Sequence, residues 1–247
     1  MENALSPESA FSLSGSTGQP NTQNLIFGKM AKTTKTVITA DKLIALYMDH
    51  VLEYEKVPGT IYKFCKDHKI KEEEFYTFFG SFEALQVCIW NRFFENTIGL
   101  LQKNKQFNAM SNEEKMLTFF FTFFENLGLN RSYVLFVLKA HKNPIENLSQ
   151  LKGLRKQFKN FASGLIEEKN SEKNLKILQH NAPLFSEGAW LQFLFLLKFW
   201  MEDGSPGFEK TDIAIEKSVT TIFQIFENTS LEKIIDLGKF LYKEKFV

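Results

Sequence analysis

The chain has few cysteines and arginines, and neither sign of charge dominates. Cys65 and Cys88 are its two cysteines, without the spacing of a metal site and too few for a disulfide framework. They read as buried small apolar groups in a protein of a reducing compartment. Thirty basic residues stand against 29 acidic ones, a formal net charge of +1, so no global field draws the chain toward nucleic acid or membrane. Any basic patch must be local, and it must be built from lysine, because arginine is confined to Arg92, Arg131 and Arg155. No uncharged apolar run approaches the roughly 18 residues of a spanning helix, and the N-terminus has neither a basic stretch nor an apolar one. The expectation is a soluble, cytoplasmic protein.

Catalytic signatures are also missing. His50, His68, His141 and His180 are scattered, and no two-histidine metal motif, nucleophile elbow or phosphate-binding glycine loop occurs. Paired carboxylates such as Glu167-Glu168 read as solvated helix faces. No catalytic residue, metal or cofactor is expected, and the chain reads as a non-enzyme.

What is abundant is phenylalanine, 27 residues in a chain of 247. An aromatic-lined cavity and AT-rich coding both account for such a bias, and composition does not separate them.

Along the chain, residues 1–36 are rich in Ser, Asn, Gln, Thr and Gly, with too little apolar content to offset the entropy of ordering, and are expected to be disordered. Met30 offers an alternative start, which would make residues 1–29 an upstream extension. From Thr39 onward the pattern is helical, with no alternating strand candidate and no internal repeat. Leu43, Ile44, Tyr47, Met48 and Val51 mark a first helix of about fifteen residues, with Thr39 or Asp41 as its cap. Pro58-Gly59 breaks the chain and Thr60 caps a second. A third carries Ile70, Phe75, Phe78 and Phe79 and ends at Gly80, and Ser81 opens a long fourth.

Beyond these, Ser111 to Glu114 reads as a capping box ahead of MLTFFFTFFENLGL, a segment apolar nearly all round. Further helices are expected at Ser132–His141, Ile145–Glu168, Leu184–Glu202, Thr211–Glu227 and Leu231–Glu244. The fold class is therefore all-α.

The run Thr60-Ile61-Tyr62-Lys63-Phe64-Cys65, then Ile70, then Phe75-Tyr76-Thr77-Phe78-Phe79-Gly80-Ser81-Phe82-Glu83-Ala84-Leu85, resembles the N-terminal signature of TetR-family regulators. The resemblance covers about forty-five residues. It implies a TetR-like fold with a helix-turn-helix head over 37–82 and a helical ligand-binding and dimerisation body over 83–247. Three departures stand inside it, one of them Phe82 where the family often has a basic residue early in helix four. Lys69 occupies the turn where the family has glycine, and Lys71, Glu72, Glu73 and Glu74 open the helix that would read DNA. A carboxylate about 5 Å from a phosphate costs roughly 0.8 kcal/mol even in water, so three in succession oppose a duplex. The alternative role for Glu72, Glu73 and Glu74 is to stabilise the N-terminus of their own helix through its dipole.

If the head binds duplex DNA, the resemblance assigns phosphate contacts to Thr60 and Tyr76 and places Lys71 and Thr77 near base edges or phosphate. Lys32 and Lys35 would enter an adjacent groove from the preceding arm. Each has a plainer reading: Thr60 as a cap, Tyr76 as a packing residue, the lysines as solvated surface. In the body, Phe120, Phe124, Phe136, Phe158, Phe161 and Trp190 are candidates to wall a cavity for an apolar small molecule or lipid, or else to fill a core without a void. The helical hairpin over 184–227 offers Phe193, Leu197, Trp200 and Ile222 for pairing with a second copy in a homodimer. The last segment, SLEKIIDLGKFLYKEKFV, is amphipathic and suits either a bundle cap or a membrane surface. A second functional expectation follows from the acidic third helix. The chain is similar in architecture to the lipid-binding ubiquinone-biosynthesis protein that shares this fold, so it would keep the body and have lost DNA recognition.

Overall fold

The computed structural model describes residues 37–140, 144–171 and 182–228. The arm bearing Lys32 and Lys35 and the amphipathic tail from 231 lie outside the described residues. Ten α-helices and no strand are found among the described residues. The first four are α1 (Ala40–Tyr54), α2 (Ile61–Asp67), α3 (Glu72–Tyr76) and α4 (Phe82–Lys103). A 3-10 turn at Phe107–Ala109 leads to α5 (Asn112–Gly128), α6 (Arg131–Leu138) and α7 (Pro144–Ser149). Then come α8 (Lys152–Ser171), α9 (Ala182–Glu202), a second 3-10 turn at Pro206–Phe208, and α10 (Glu209–Asn228).

Hydroxyls start these helices where spacing predicts them. Thr39, Thr60 and Ser81 each accept a hydrogen bond from the backbone N–H three residues on, at 3.2, 3.1 and 3.2 Å. Ser111 and Glu114 close the capping box, with Oγ accepting from Glu114 N at 3.2 Å and the carboxylate accepting from Ser111 N at 2.7 Å. Each such cap satisfies a donor that the helix cannot, contributing about 1 kcal/mol.

The single helix predicted over Ile145–Glu168 is instead two, α7 and α8, and buried Gln150 at the break gives the reason. Its Nε2 donates to the carbonyls of Val137 and Asn147, and its Oε1 accepts from the Trp90 indole. Breaking the helix here lets one side chain serve α4, α6 and α7 together.

In the body, α8 packs on α4 and α9, while α5 packs on α4 and α10, with α10 also against α9. Gly153 lets α8 approach α4 closely, since a Cβ there would sit 2.3 Å from Asn91 Oδ1. Phe119, Phe120, Phe123, Phe158, Phe185 and Phe193 are all fully buried, each side chain contributing roughly 1.5–3 kcal/mol by leaving water. The described residues from Ile38 onward form one compact unit, within which α1 packs on α6 and the start of α4 shares the core of the first three helices.

Candidate functional site

Two regions carry function-bearing side chains, the head formed by α1–α3 with the start of α4, and the clefts of the body.

The head is organised around aromatic rings. Phe64 of α2 meets Phe75 of α3 at 6.2 Å and Phe82 of α4 at 5.6 Å, both edge-on, and Phe75 meets Phe82 at 5.6 Å. Tyr47 of α1 closes the cluster at 5.5 Å from Phe82 and accepts a hydrogen bond from Gln86 at 2.7 Å. Burial pushes its phenol up to about 12. Between α2 and α3, Ile70 N donates to Cys65 O at 2.9 Å, and Lys69 adopts a left-handed conformation with φ of 58°. Lys69 therefore sits where the backbone favours glycine, at a cost of about 1 kcal/mol.

The glutamates of α3 have partners within their own helix. Glu74 accepts from the backbone N–H of Lys71 at 3.0 Å, Glu73 accepts from Lys71 Nζ at 3.1 Å, and Glu72 accepts a long bond from the Tyr76 hydroxyl at 3.4 Å. All three lie in the first turn, where the helix dipole favours negative charge. Of the side chains expected to touch DNA, Thr60 and Thr77 are exposed, but their hydroxyls cap α2 and bond Glu73 O. Tyr76 is 51% exposed, and desolvation followed by the charge of Glu72 raises its phenol above the ordinary value. Lys71 is exposed and engaged with Glu73.

Sequence reasoning missed the outer face of α2. Lys63 and Lys66, a turn apart, are exposed together with Lys69 and with Tyr62 at 62% exposure. Lys63, Lys66 and Lys69 outnumber the exposed Asp67 on α2 and the turn, which leaves that face net positive, and the i, i+3 spacing of Lys63 and Lys66 was the signal for it.

In the body, the expected cavity wall is a stack of rings. Phe158 lies 5.7 Å from Phe120 and 5.4 Å from Phe193, Phe161 lies 4.9 Å from Phe119, and Trp190 stacks on Phe193 at 5.0 Å. Phe124 joins through Phe193 at 6.3 Å. Phe136 stands apart and borders a cleft of about 970 Å³, shared with Val57 beyond α1, Gln86 of α4, Leu135 and Val137 of α6, and Gln150. A second cavity, of about 420 Å³, is bordered by Phe124 where α5 meets the α9–α10 junction.

The residues expected between two copies are placed differently. Phe193, Leu197 and Trp200 are 0, 2 and 1% exposed within one chain, because α8 and α10 pack on α9 and the rings of Phe120, Phe123 and Phe124 from α5 meet Phe193 and Trp200. Ile222 is partly buried against the core. The open side of α9 instead carries Leu191 at 66% and Phe195 at 56% exposure, and α10 adds Ile213 at 51% and Ile225 at 43%. No helix among the described residues is long and apolar enough to cross a membrane.

Three helices leading through the 22-residue α4 into further packed helices, with no strand among the described residues, define an all-α protein. The family model described as "Tetracyclin repressor-like, C-terminal domain" matches residues 115–241, just over half of the chain, and the chain belongs to that family. No curated protein and no solved structure matches it.

Proposed function

We propose that the protein is a homodimeric transcriptional regulator whose head binds duplex DNA and whose body takes a small molecule with an apolar part. The observation that carries this reading is the pairing of α2 and α3 on one aromatic core, with α4 running from that core into the body. The same arrangement puts Tyr62, Lys63, Lys66 and Tyr76 on exposed surface. Lysines on α2 meet phosphate, and α3 contributes Tyr76 and Thr77. Thr60 positions the start of α2, and Lys71 holds Glu73 away from the duplex.

The cleft bordered by Phe136 is the place for the small molecule. It touches both the end of the head and α6, and its apolar side is formed by Val57, Leu135 and Val137. A ligand that binds one head–body arrangement better than another shifts the population of DNA-competent dimers. The dimer forms through the open sides of α9 and α10, with Leu191, Phe195 and Ile213 at its centre. Nothing in this mechanism calls for catalysis.

The acidic α3 favours a second reading, a lipid-binding member of the fold that no longer recognises DNA. Anisotropy titrations with duplexes from upstream of the protein's own gene, between about 50 and 200 mM salt, separate the two. The regulatory reading expects sequence-selective binding that weakens with salt and with Lys63→Ala or Tyr76→Ala. Absence of selective binding by the folded dimer, together with tight uptake of a lipid, would replace it with the second reading. Sedimentation of Phe195→Glu checks the dimer face: the variant should run as a monomer where the parent runs as a dimer.

A further inference from the structure

His50 near the end of α1 and His68 at the end of α2 meet across the head, with ring centres 5.8 Å apart. Phe64 lies against both, 5.8 Å from His50 and 4.6 Å from His68, and Tyr54 lies 4.6 Å from His50. Both histidines are half-buried, yet Nδ1 of His50 and Nε2 of His68 are closed to solvent and have no hydrogen-bond partner. A neutral imidazole carries one N–H, so each ring can leave that nitrogen bare. The imidazolium carries N–H on both nitrogens. Protonating either ring therefore places a charged donor where neither water nor protein accepts it.

The surrounding charges do not rescue the cation. Desolvation, followed by the charge of His68, lowers the His50 value from the ordinary 6.5, with Lys63 of α2 on the same side and Asp67 of α2 and Glu53 of α1 opposing. Both carboxylates are on exposed residues, where water screens their pull. The position of the pair decides what gives way. His68 is the C-cap of α2, donating its backbone N–H to Phe64 O at 3.1 Å, and it precedes the left-handed turn at Lys69. Elsewhere α1 is held independently, by the Asp41–Arg92 ion pair at 3.0 Å and by Gln86 donating to the Tyr47 hydroxyl. Losing the histidine contact thus frees the end of α2 and the turn, while α1 stays fixed to α4.

We propose that His50 and His68 form an acid-sensitive joint between α1 and α2, closed while both rings are neutral and opened by a proton on either, which releases the end of α2 and the turn to α3. A charge on one ring also repels a charge on its neighbour, so each ring reports on the state of the other. Phe64 carries the change inward, because the same ring packs on Phe75 of α3 and Phe82 of α4. In a head that binds duplex DNA, mild acid then misaligns α2 and α3, a consequence that rests on the regulatory reading above. The joint itself belongs to the free chain and does not.

Amide exchange on the full chain without DNA, corrected for the intrinsic pH dependence of exchange and compared between about pH 7.5 and 5.5, tests it. The expected result in acid is a loss of protection of at least about tenfold over residues 64–70, against less than about twofold over residues 85–94 of α4. His50→Gln with His68→Gln, neutral at every pH, should cancel that loss. Titration of the ring Hε1 signals of the unaltered chain by NMR needs no variant, and there His50 should titrate below the ordinary 6.5. Unchanged protection over 64–70 overturns the inference, as does a loss shared equally by α4, a loss that persists in the double substitution, or a His50 ring that titrates at or above 6.5. Failure of the chain to select a duplex leaves all of these readouts in place, so the joint and the regulatory reading fall separately.

Discussion

The indole N–H of Trp90 in α4 donates to Oε1 of Gln150 at 2.8 Å, joining residues 60 positions apart in the buried interior. Because the Gln150 amide also donates to Val137 O and Asn147 O, one side chain satisfies a donor and two acceptors that have no access to water. Gln150→Leu keeps the volume and strands all three. The expected cost is about 3 kcal/mol, read as a lower urea midpoint with unchanged slope.

Lys69 gives a prediction of the opposite sign. Its φ of 58° suits glycine, and its side chain is exposed. Lys69→Gly should therefore raise stability by about 1 kcal/mol, whereas a β-branched Lys69→Val should lower it by a similar amount or more. Urea melts of the three chains give the ordering directly.

Asp203 anchors the junction of α9 and α10. Oδ1 accepts from the backbone N–H and hydroxyl of Ser205 at 2.8 and 2.6 Å, and Oδ2 accepts from those of Thr211 at 2.9 and 2.7 Å. Burial raises its carboxyl, but these four bonds outweigh it and hold the group well below the usual carboxylate range. A depressed folded value means the stabilisation is complete above the unfolded value near 4 and is lost as pH falls through the folded one. Asp203→Asn turns an amide toward two donors and should cost about 3 kcal/mol at neutral pH. It should also flatten the decline in stability below about pH 4. Unfolding midpoints across acid pH test both expectations.

His50 sets a second pH dependence, in the head. Its ring lies 5.8 Å from that of His68 and 5.8 Å from Phe64, and its Nδ1 is buried without a partner. Desolvation first, and His68 second, lower its value from the ordinary 6.5. The neutral form is thus favoured in the fold, so its contribution is intact above about pH 6.5 and is lost as pH drops through the folded value. The nearby Asp67 and Glu53 oppose this shift, while Lys63 adds to it. Replacing His50 with Gln should lessen the fall in melting temperature between about pH 7 and 5. An unchanged pH profile would remove His50 as its source.

Much of the helical scaffold was legible because its starts are chemical. Thr39, Thr60, Ser81 and Ser111 stand one position before a periodic apolar segment, and a hydroxyl there has a donor to satisfy. The break at Gln150 was hidden because its cause is tertiary, a partner 60 residues away. The side of α9 that faces outward was hidden for a different reason. Phe193, Leu197 and Trp200 alternate around the helix with Leu191 and Phe195, so apolar character alone does not distinguish core from surface. Only the packing of α8, α10 and the α5 rings makes that distinction. The positive face of α2 lies within reach of i, i+3 counting, although the acidic run that follows it cancels its charge in any sum taken over the whole head.

The unbroken course of α4 has a mechanical consequence. Its 22 residues make a rod about 33 Å long, with Phe82 and Leu85 set among the rings of the head and Phe94 and Leu101 set in the body. A tilt of about 5° at one end displaces the other by about 3 Å, close to the rise of two helical residues. Trp90 lies about 12 Å from the Phe82 end of this rod and about 20 Å from its Lys103 end, so a rearrangement there that tilts the rod by about 5° moves the two ends in opposite senses by about 1 and 2 Å.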